Sequence, residues 1–195
     1  MVMRVFFVSF MALLAGCGSE NFDERDINEN ANTTQDTFAP TNLEQSDQIG
    51  LSLTNSDCYK GDTFVCAAEK EITRLTNSKR SGRTALINNI KTGFVSRDWS
   101  QKQSTQGLSH SGFPTARETV YKNEFGQSIS FLAENVAYFT GCGNMTAQQI
   151  AAKFVDMWWN SSGHRQNMLG NYKNLGSGVH RTSTGACYAT QLFSN

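Results

Sequence analysis

The alternation of apolar and polar positions divides this chain at Cys58. Beyond that residue, apolar side chains recur at helical spacing. Val65, Ala68, Ile72 and Leu75 fall on one face of a segment from about Asp62 to Asn77, and Asp62 stands where its carboxylate can accept the free amide hydrogens of the first turn. The pattern predicts a second helix from about Asn88 to Gln106, stopped by Gly107, although Gly93 inside it is at odds with a regular helix. Thr115 and Glu118 have the spacing of a capping box and open a short third helix that Gly126 ends. Phe131 to Phe139 is apolar and β-branched enough for a strand. Thr146 and Gln149 form another capping box, ahead of a helix whose inner stripe is Ile150, Phe154, Met157 and Trp158. Leu175–Thr182 and Ala186–Phe193 predict a hairpin around Ser183-Thr184-Gly185. Helices interleaved with few strands make this an α+β chain, without repeats or coiled-coil heptads.

The N-terminal part follows other rules. Residues 1–16 carry one early charge, Arg4, then an apolar run, then small residues, which is the layout of a secretory signal peptide and too short for a membrane-spanning helix. The run ends in Leu14-Ala15-Gly16-Cys17, which resembles a bacterial lipobox. The expectation is acylation of Cys17 and a lipid anchor at the cell envelope, in the outer membrane if the cell has two. An ordinary signal peptide followed by a chance cysteine is the alternative. Residues 17–57 hold nine carboxylates against one base, Arg25, and almost no aromatic surface, so they predict a disordered acidic tether.

The overall charge of zero therefore hides an asymmetry. Residues 58–195 hold 15 Lys and Arg against eight Asp and Glu. A basic domain on an acidic leash suits anionic glycans or lipid headgroups, or carries only solvated helix faces. Nucleic acid is excluded as a partner for an exported chain. The segment is long enough for one domain with its own core.

Setting Cys17 aside leaves Cys58, Cys66, Cys142 and Cys187, an even number in an exported chain. Cys58–Cys66 with Cys142–Cys187 is the expected pairing, because Cys58 and Cys66 flank one short turn. Chain entropy assigns about 2.5 kcal/mol to the small loop and about 4 kcal/mol to the larger. Metal ligation is the rival use, but no Cys-x-x-Cys spacing supports it.

The candidate chemistry lies in Ser109-His110, Ala133-Glu134-Asn135 and Trp158-Trp159-Asn160-Ser161-Ser162-Gly163-His164-Arg165. In each, a polar group sits where an element pattern ends, which is where a fold can gather side chains into a cleft. Taken in order with Gly-Ser-Gly-Val at 176–179 and Tyr-Ala-Thr-Gln at 188–191, these segments resemble the CAP superfamily of cysteine-rich secretory, antigen 5 and pathogenesis-related proteins, and its bacterial branch in particular. The resemblance covers about residues 62–195. It implies an α–β–α sandwich with a small antiparallel sheet. It also implies a cleft lined by two histidines and two acids, of which His110, Glu134 and His164 match three. The second acid is missing, and Ala133 stands where a glycine usually precedes the first.

His110 and His164, with Glu134, are sufficient ligand types for Zn²⁺, with water completing a tetrahedron. Glu134 could then ligate, orient an imidazole or take a proton from bound water. Without metal, a Glu–His pair could act as general base. The same trio would also serve as a buried hydrogen-bond network that fixes loops. Ser109, Ser111 and Ser161 complete no obvious triad, and His180 is a reserve ligand only. Asn135, Trp159 and Ser161 are expected to wall the cleft, and Trp99 and Trp158 to lie in the core. The missing acid favours a non-catalytic binding module for a metal or a small, lipidic, glycan or protein ligand over a hydrolase of peptide or cell-wall material. For the anchor, blocking lipoprotein signal peptidase should make the precursor accumulate, whereas unchanged processing would remove the case for lipidation.

Overall fold

The computed structural model describes residues 58–195; the expected signal peptide and tether lie outside the described residues. Helix α1 (Thr63–Lys79) starts where Asp62 accepts the Val65 amide hydrogen at 2.8 Å and buries Ala68 and Ile72. A two-residue strand β1 (Ile87–Asn88) leads into α2 (Ile90–Gln106), which Asn89 caps through the Thr92 amide at 3.1 Å and Gly107 ends. Helix α3 (Thr115–Phe125) stops at Gly126, whose φ of 65° is a left-handed turn that suits glycine. Strand β2 (Phe131–Thr140) follows. Helix α4 (Ala147–Asn160) opens on the Thr146–Gln149 capping box with both bonds made. A short α5 (Ser162–Met168) precedes the hairpin of β3 (Asn174–Arg181) and β4 (Ala186–Ser194).

Three sequence expectations change. The Thr115–Glu118 capping box does not form. Thr115 is already helical, Pro114 occupies the cap without a side-chain bond, and Glu118 instead accepts the Phe131 amide at 3.2 Å. The sheet is mixed rather than antiparallel: its order is β1-β3-β4-β2, and β1 runs parallel to β3 through Ile87 opposite Asn174. Two backbone bonds of 2.9 Å, Ile87 to Lys173 and Asn89 to Leu175, hold that strand. Neither β1 nor α5 was foreseen, since elements this short carry no periodicity.

Helices cover both faces of the sheet. On one, α1 and α4 bury Ile72, Ile150, Phe154 and Trp158 against Leu175, Val179 and Phe193. On the other, α2 and α3 bring Val95 and Tyr121 against Phe131 and Leu192. Helix α2 lies unusually close to β3. A methyl added at Gly178 would stand 2.0 Å from the Arg97 amide nitrogen, and one at Gly176 would stand 2.3 Å from Thr92. These two glycines let a helix rest directly on strand backbone, and Ser100 locks the contact by donating to the Gly178 carbonyl at 3.0 Å. Gly93 has the same cause, since a methyl there would stand 3.1 Å from the Ser177 carbonyl. The bridges Cys58–Cys66 and Cys142–Cys187 are both formed.

Because β1 is so short, β3 has an open edge beyond Leu175. Glu69 of α1 covers part of it, accepting the Val179 amide at 3.1 Å and both Nε and Nη2 of Arg97 at 2.7 Å. Burial pushes the Glu69 carboxyl up from 4.5 to about 7, against the downward pull of Arg97 and the Val179 amide. Its folded value therefore lies above its unfolded value, so the folded state binds this proton more tightly. The stability it contributes is full below about pH 4.5 and lost as pH rises through about 7. Urea denaturation between pH 4.5 and 8 should show this loss in the wild type and a flatter profile in Glu69→Gln; equal slopes would contradict it.

Candidate functional site

His110 sits in the loop between α2 and α3, and its position is fixed from both sides. Trp99 donates from Nε1 to the Ser109 carbonyl at 3.2 Å, and Arg117 donates from Nη1 to the Ser111 carbonyl at 2.8 Å. The Arg117 guanidinium lies over the Trp99 ring, 3.3 Å from its centroid, so one stacked pair holds both neighbours of the histidine.

Glu134 points from β2 toward that pair. Arg117 donates to it bidentately, from Nε to Oε2 at 2.7 Å and from Nη2 to Oε1 at 3.1 Å. His110 Nδ1 lies 2.9 Å from the same Oε1. The side chains of Glu134 and Arg117 are 1% and 2% exposed, whereas that of His110 is 53% exposed. The ion pair is thus an interior structure, and the imidazole is the part that meets solvent. Two charges this deep are tolerable only when paired and hydrogen-bonded, as both are here.

His164 enters from the first turn of α5. Asn135, wholly buried on the opposite face of β2, holds this helix by donating from Nδ2 to the His164 carbonyl at 3.1 Å. It also donates to Gln191 Oε1 at 3.0 Å and accepts from Asn167 Nδ2 at 2.9 Å; Gln191 in turn donates to Thr76 at 2.9 Å. This buried amide chain ties β2, β4, α1 and α5 together behind the cleft. Burial first, and repulsion from His110 second, lower the His164 pKa from 6.5. Among the described residues the His164 ring bonds to neither Glu134 nor His110.

The remaining sequence candidates divide. Asn135 supports the cleft from behind rather than walling it. Trp159 is half-buried, with the Arg165 guanidinium 5.8 Å from its ring centroid, and Ser161 caps α5 without a side-chain bond. Trp158 is core and Trp99 is the stacking partner of Arg117. His180 lies apart, opposite Tyr188 in the hairpin, with its pKa lowered by burial. Sequence reasoning missed Arg117, Asn167 and Gln191. None had a local signal: a lone arginine on a short, largely polar helix looks like any solvated side chain, and the two amides act only through partners distant in sequence.

Residues 81–193 match the model of CAP, the cysteine-rich secretory protein family. The match covers more than half of the chain and begins after α1 and the Cys58–Cys66 bridge. No curated protein matches the chain. Among solved structures, NaASP2 with Zn²⁺ is 15% identical, with a TM-score of 0.52, over 70% of this chain and 83% of that one. An extracellular protein containing an SCP domain from Bacillus anthracis str. Ames is 23% identical over 67% of this chain, with a TM-score of 0.49; the match spans only 41% of that protein's length. An outer surface protein from Borrelia burgdorferi is 16% identical over 65% of this chain and 90% of that one, with a TM-score of 0.49. At such identities, the likeness to NaASP2 establishes a shared fold and nothing finer.

The geometry makes Arg117 the support of Glu134 and of the His110 loop. Arg117→Leu leaves Glu134 buried without its counter-charge and should cost about 3–5 kcal/mol of stability. Replacing both residues by Met should cost less than that single change. Urea unfolding measures both, and a loss below about 1 kcal/mol in Arg117→Leu would mean the pair is not the anchor.

Proposed function

The chain belongs to the cysteine-rich secretory protein family, and on that footing we propose that it is a non-catalytic binding module, lipid-anchored at the cell envelope, whose ligand face lies between His110 and His164. One observation carries this reading. Both oxygens of Glu134 are already engaged, by a bidentate guanidinium and by His110. A hydrolase built on this cleft would need that carboxylate to take a proton from water, and the sequence supplies no second acid. What stays free for a ligand is the exposed imidazole of His110 and the half-buried one of His164.

Two imidazoles are suitable donor types for a divalent ion such as Zn²⁺, and the Glu134 carboxylate orients the His110 ring from behind. Among the described residues, no group of three His, Cys, Asp or Glu is gathered to hold an ion. This donor set therefore suits loose binding, in which His110 and His164 would be the protein ligands. A bound ion would supply a Lewis-acid contact to a ligand oxygen. NaASP2 was solved with Zn²⁺, which lends support only through the shared fold. A small or lipidic ligand is the other candidate occupant, for which half-buried Trp159 at the α4–α5 junction would offer apolar surface.

For the envelope address, two of the solved structures are described as an extracellular protein and an outer surface protein. Among the described residues no helix is long and apolar enough to cross a membrane. The lipobox at Cys17 is what supports anchoring in this chain.

Calorimetric titration of untagged protein with Zn²⁺ should show weak binding that His110→Ala/His164→Ala abolishes; equal heats in both proteins would remove the metal from the reading. Hydrolysis of peptide or cell-wall substrate that disappears in Glu134→Gln would overturn the non-catalytic assignment itself.

A further inference from the structure

The second buried carboxylate–guanidinium pair, Glu69 with Arg97, lies against the Cys58–Cys66 bridge. Arg97 Nη2 is 3.0 Å from Cys58 Sγ, and Glu69 Oε2 is 3.6 Å from the same sulfur. A disulfide sulfur is a weak acceptor and has no proton to give, so the oxidised bridge makes little use of either group. A thiolate at Cys58 would accept strongly from the guanidinium, and a thiol there would donate to the carboxylate. The surroundings of Cys58 thus complement its reduced form better than its oxidised form. Cys142 of the other bridge has a different setting: it is fully buried, and its polar neighbour among the described residues is the Gly185 carbonyl at 3.3 Å.

We propose that Cys58–Cys66 is a thiol–disulfide exchange site, opened by a dithiol partner, with Arg97 stabilising Cys58 as the leaving thiolate and Glu69 handling its proton. The partner's thiolate attacks Cys66 Sγ. The Cys58–Cys66 bond breaks, and its electron pair leaves on Cys58 beside Arg97. The partner's second thiolate then attacks the partner's own sulfur in the mixed disulfide and releases Cys66. Two electrons pass from the partner to the bridge, and the two protons of the partner's thiols end on Cys58 and Cys66. The partner departs as a disulfide. Lower basicity of the leaving sulfur speeds the first step, which is what a neighbouring guanidinium provides. With its carboxyl pushed up to about 7, Glu69 can accept and return a proton near neutral pH.

Access runs through a small cover. Cys58 and Cys66 are 7% and 6% exposed, under the loop 59–61. A methyl at Gly61 would stand 2.4 Å from Cys58 Sγ and 2.9 Å from Cys66 Sγ, so glycine is what lets this loop lie on the bridge. Lys60 beside it is held at φ 54°, a left-handed conformation that is costly for lysine. The cover is tied down by the Tyr59 hydroxyl, which donates to Glu124 at 2.7 Å, and by the Lys60–Glu124 ion pair. The Glu124 contacts are peripheral. Tyr59 also packs edge-on between Phe94 and Phe125, 5.4 and 5.1 Å between ring centroids, and its carbonyl accepts from Arg97 Nη1 at 2.9 Å. An entering thiol has to displace these contacts as well. Next to the loop lies a cleft of about 330 Å³ lined in part by Gly61, Val65, Arg97 and His180; neither sulfur lines it, so a thiol that enters there reaches the bridge once the loop 59–61 is displaced.

The test compares the two bridges within one molecule. The whole chain is equilibrated at pH 7 without denaturant in graded ratios of reduced to oxidised dithiothreitol, then trapped by alkylation and read by mass spectrometry. Cys58–Cys66 should open at a dithiol ratio roughly tenfold or more below that needed for Cys142–Cys187. In Glu69→Gln, the opening rate at pH 7 should fall about tenfold or more and lose its pH dependence near neutrality. Both bridges opening together, or Cys58–Cys66 opening only in denaturant, would overturn the proposal. So would a Glu69→Gln variant with the wild-type rate and pH profile. The wild-type comparison needs no variant to fold, and it does not depend on what the His110–His164 cleft binds.

Discussion

Glu134 and Arg117 carry opposite charges in a place that water barely reaches, and the loop that carries His110 is organised around their pairing. Neither charge could be buried there alone. Once paired, the guanidinium still has an unused donor and a flat face. The donor goes to the Ser111 carbonyl and the face to Trp99, which in turn holds Ser109. The exposed imidazole of His110 is therefore presented by a rigid frame, although it sits on a loop. A carboxylate that would ordinarily signal acid–base chemistry is here consumed in building that frame.

The other half of the cleft is built from neutral groups. Asn135, Gln191, Thr76 and Asn167 form a chain of amides and a hydroxyl through the opposite face of the sheet, and α5 hangs from it. The three amides each use more than one bonding position, so displacing one leaves others unsatisfied in a dry interior. Two solutions to the same problem, one ionic and one amide-based, thus hold the two histidines. Both spend polar groups on fixing position.

Much of this was legible in the sequence where the determinants are local. Asp62, Gly107, Gly126 and the Thr146–Gln149 box mark helix ends through contacts within a few residues, and those boundaries stand within about two residues. The Thr115–Glu118 box has the same spacing, yet Glu118 is drawn away by the Phe131 amide, a partner that exists only once β2 packs beside α3. Gly93 looked like a flaw in a helix until β3 was seen lying against it. The pairing of His110 with Glu134 was readable because the motif order carried it. Arg117 was not, because a lone arginine on a short helix resembles any solvated side chain. Asn135 was noticed for its neighbour, while its burial and its grip on α5 follow from the fold alone.

The brevity of β1 has an implication for the molecule among its own copies. Past Leu175, the outer strand of the sheet would present bare amide hydrogens to any passing chain, an invitation to intermolecular strand pairing and aggregation. Glu69 occupies the Val179 amide from within the same molecule, and the Arg97 side chain fills the space beside it. A side-chain carboxylate placed there does the work of a missing strand, and it keeps neighbouring copies from adding to the sheet.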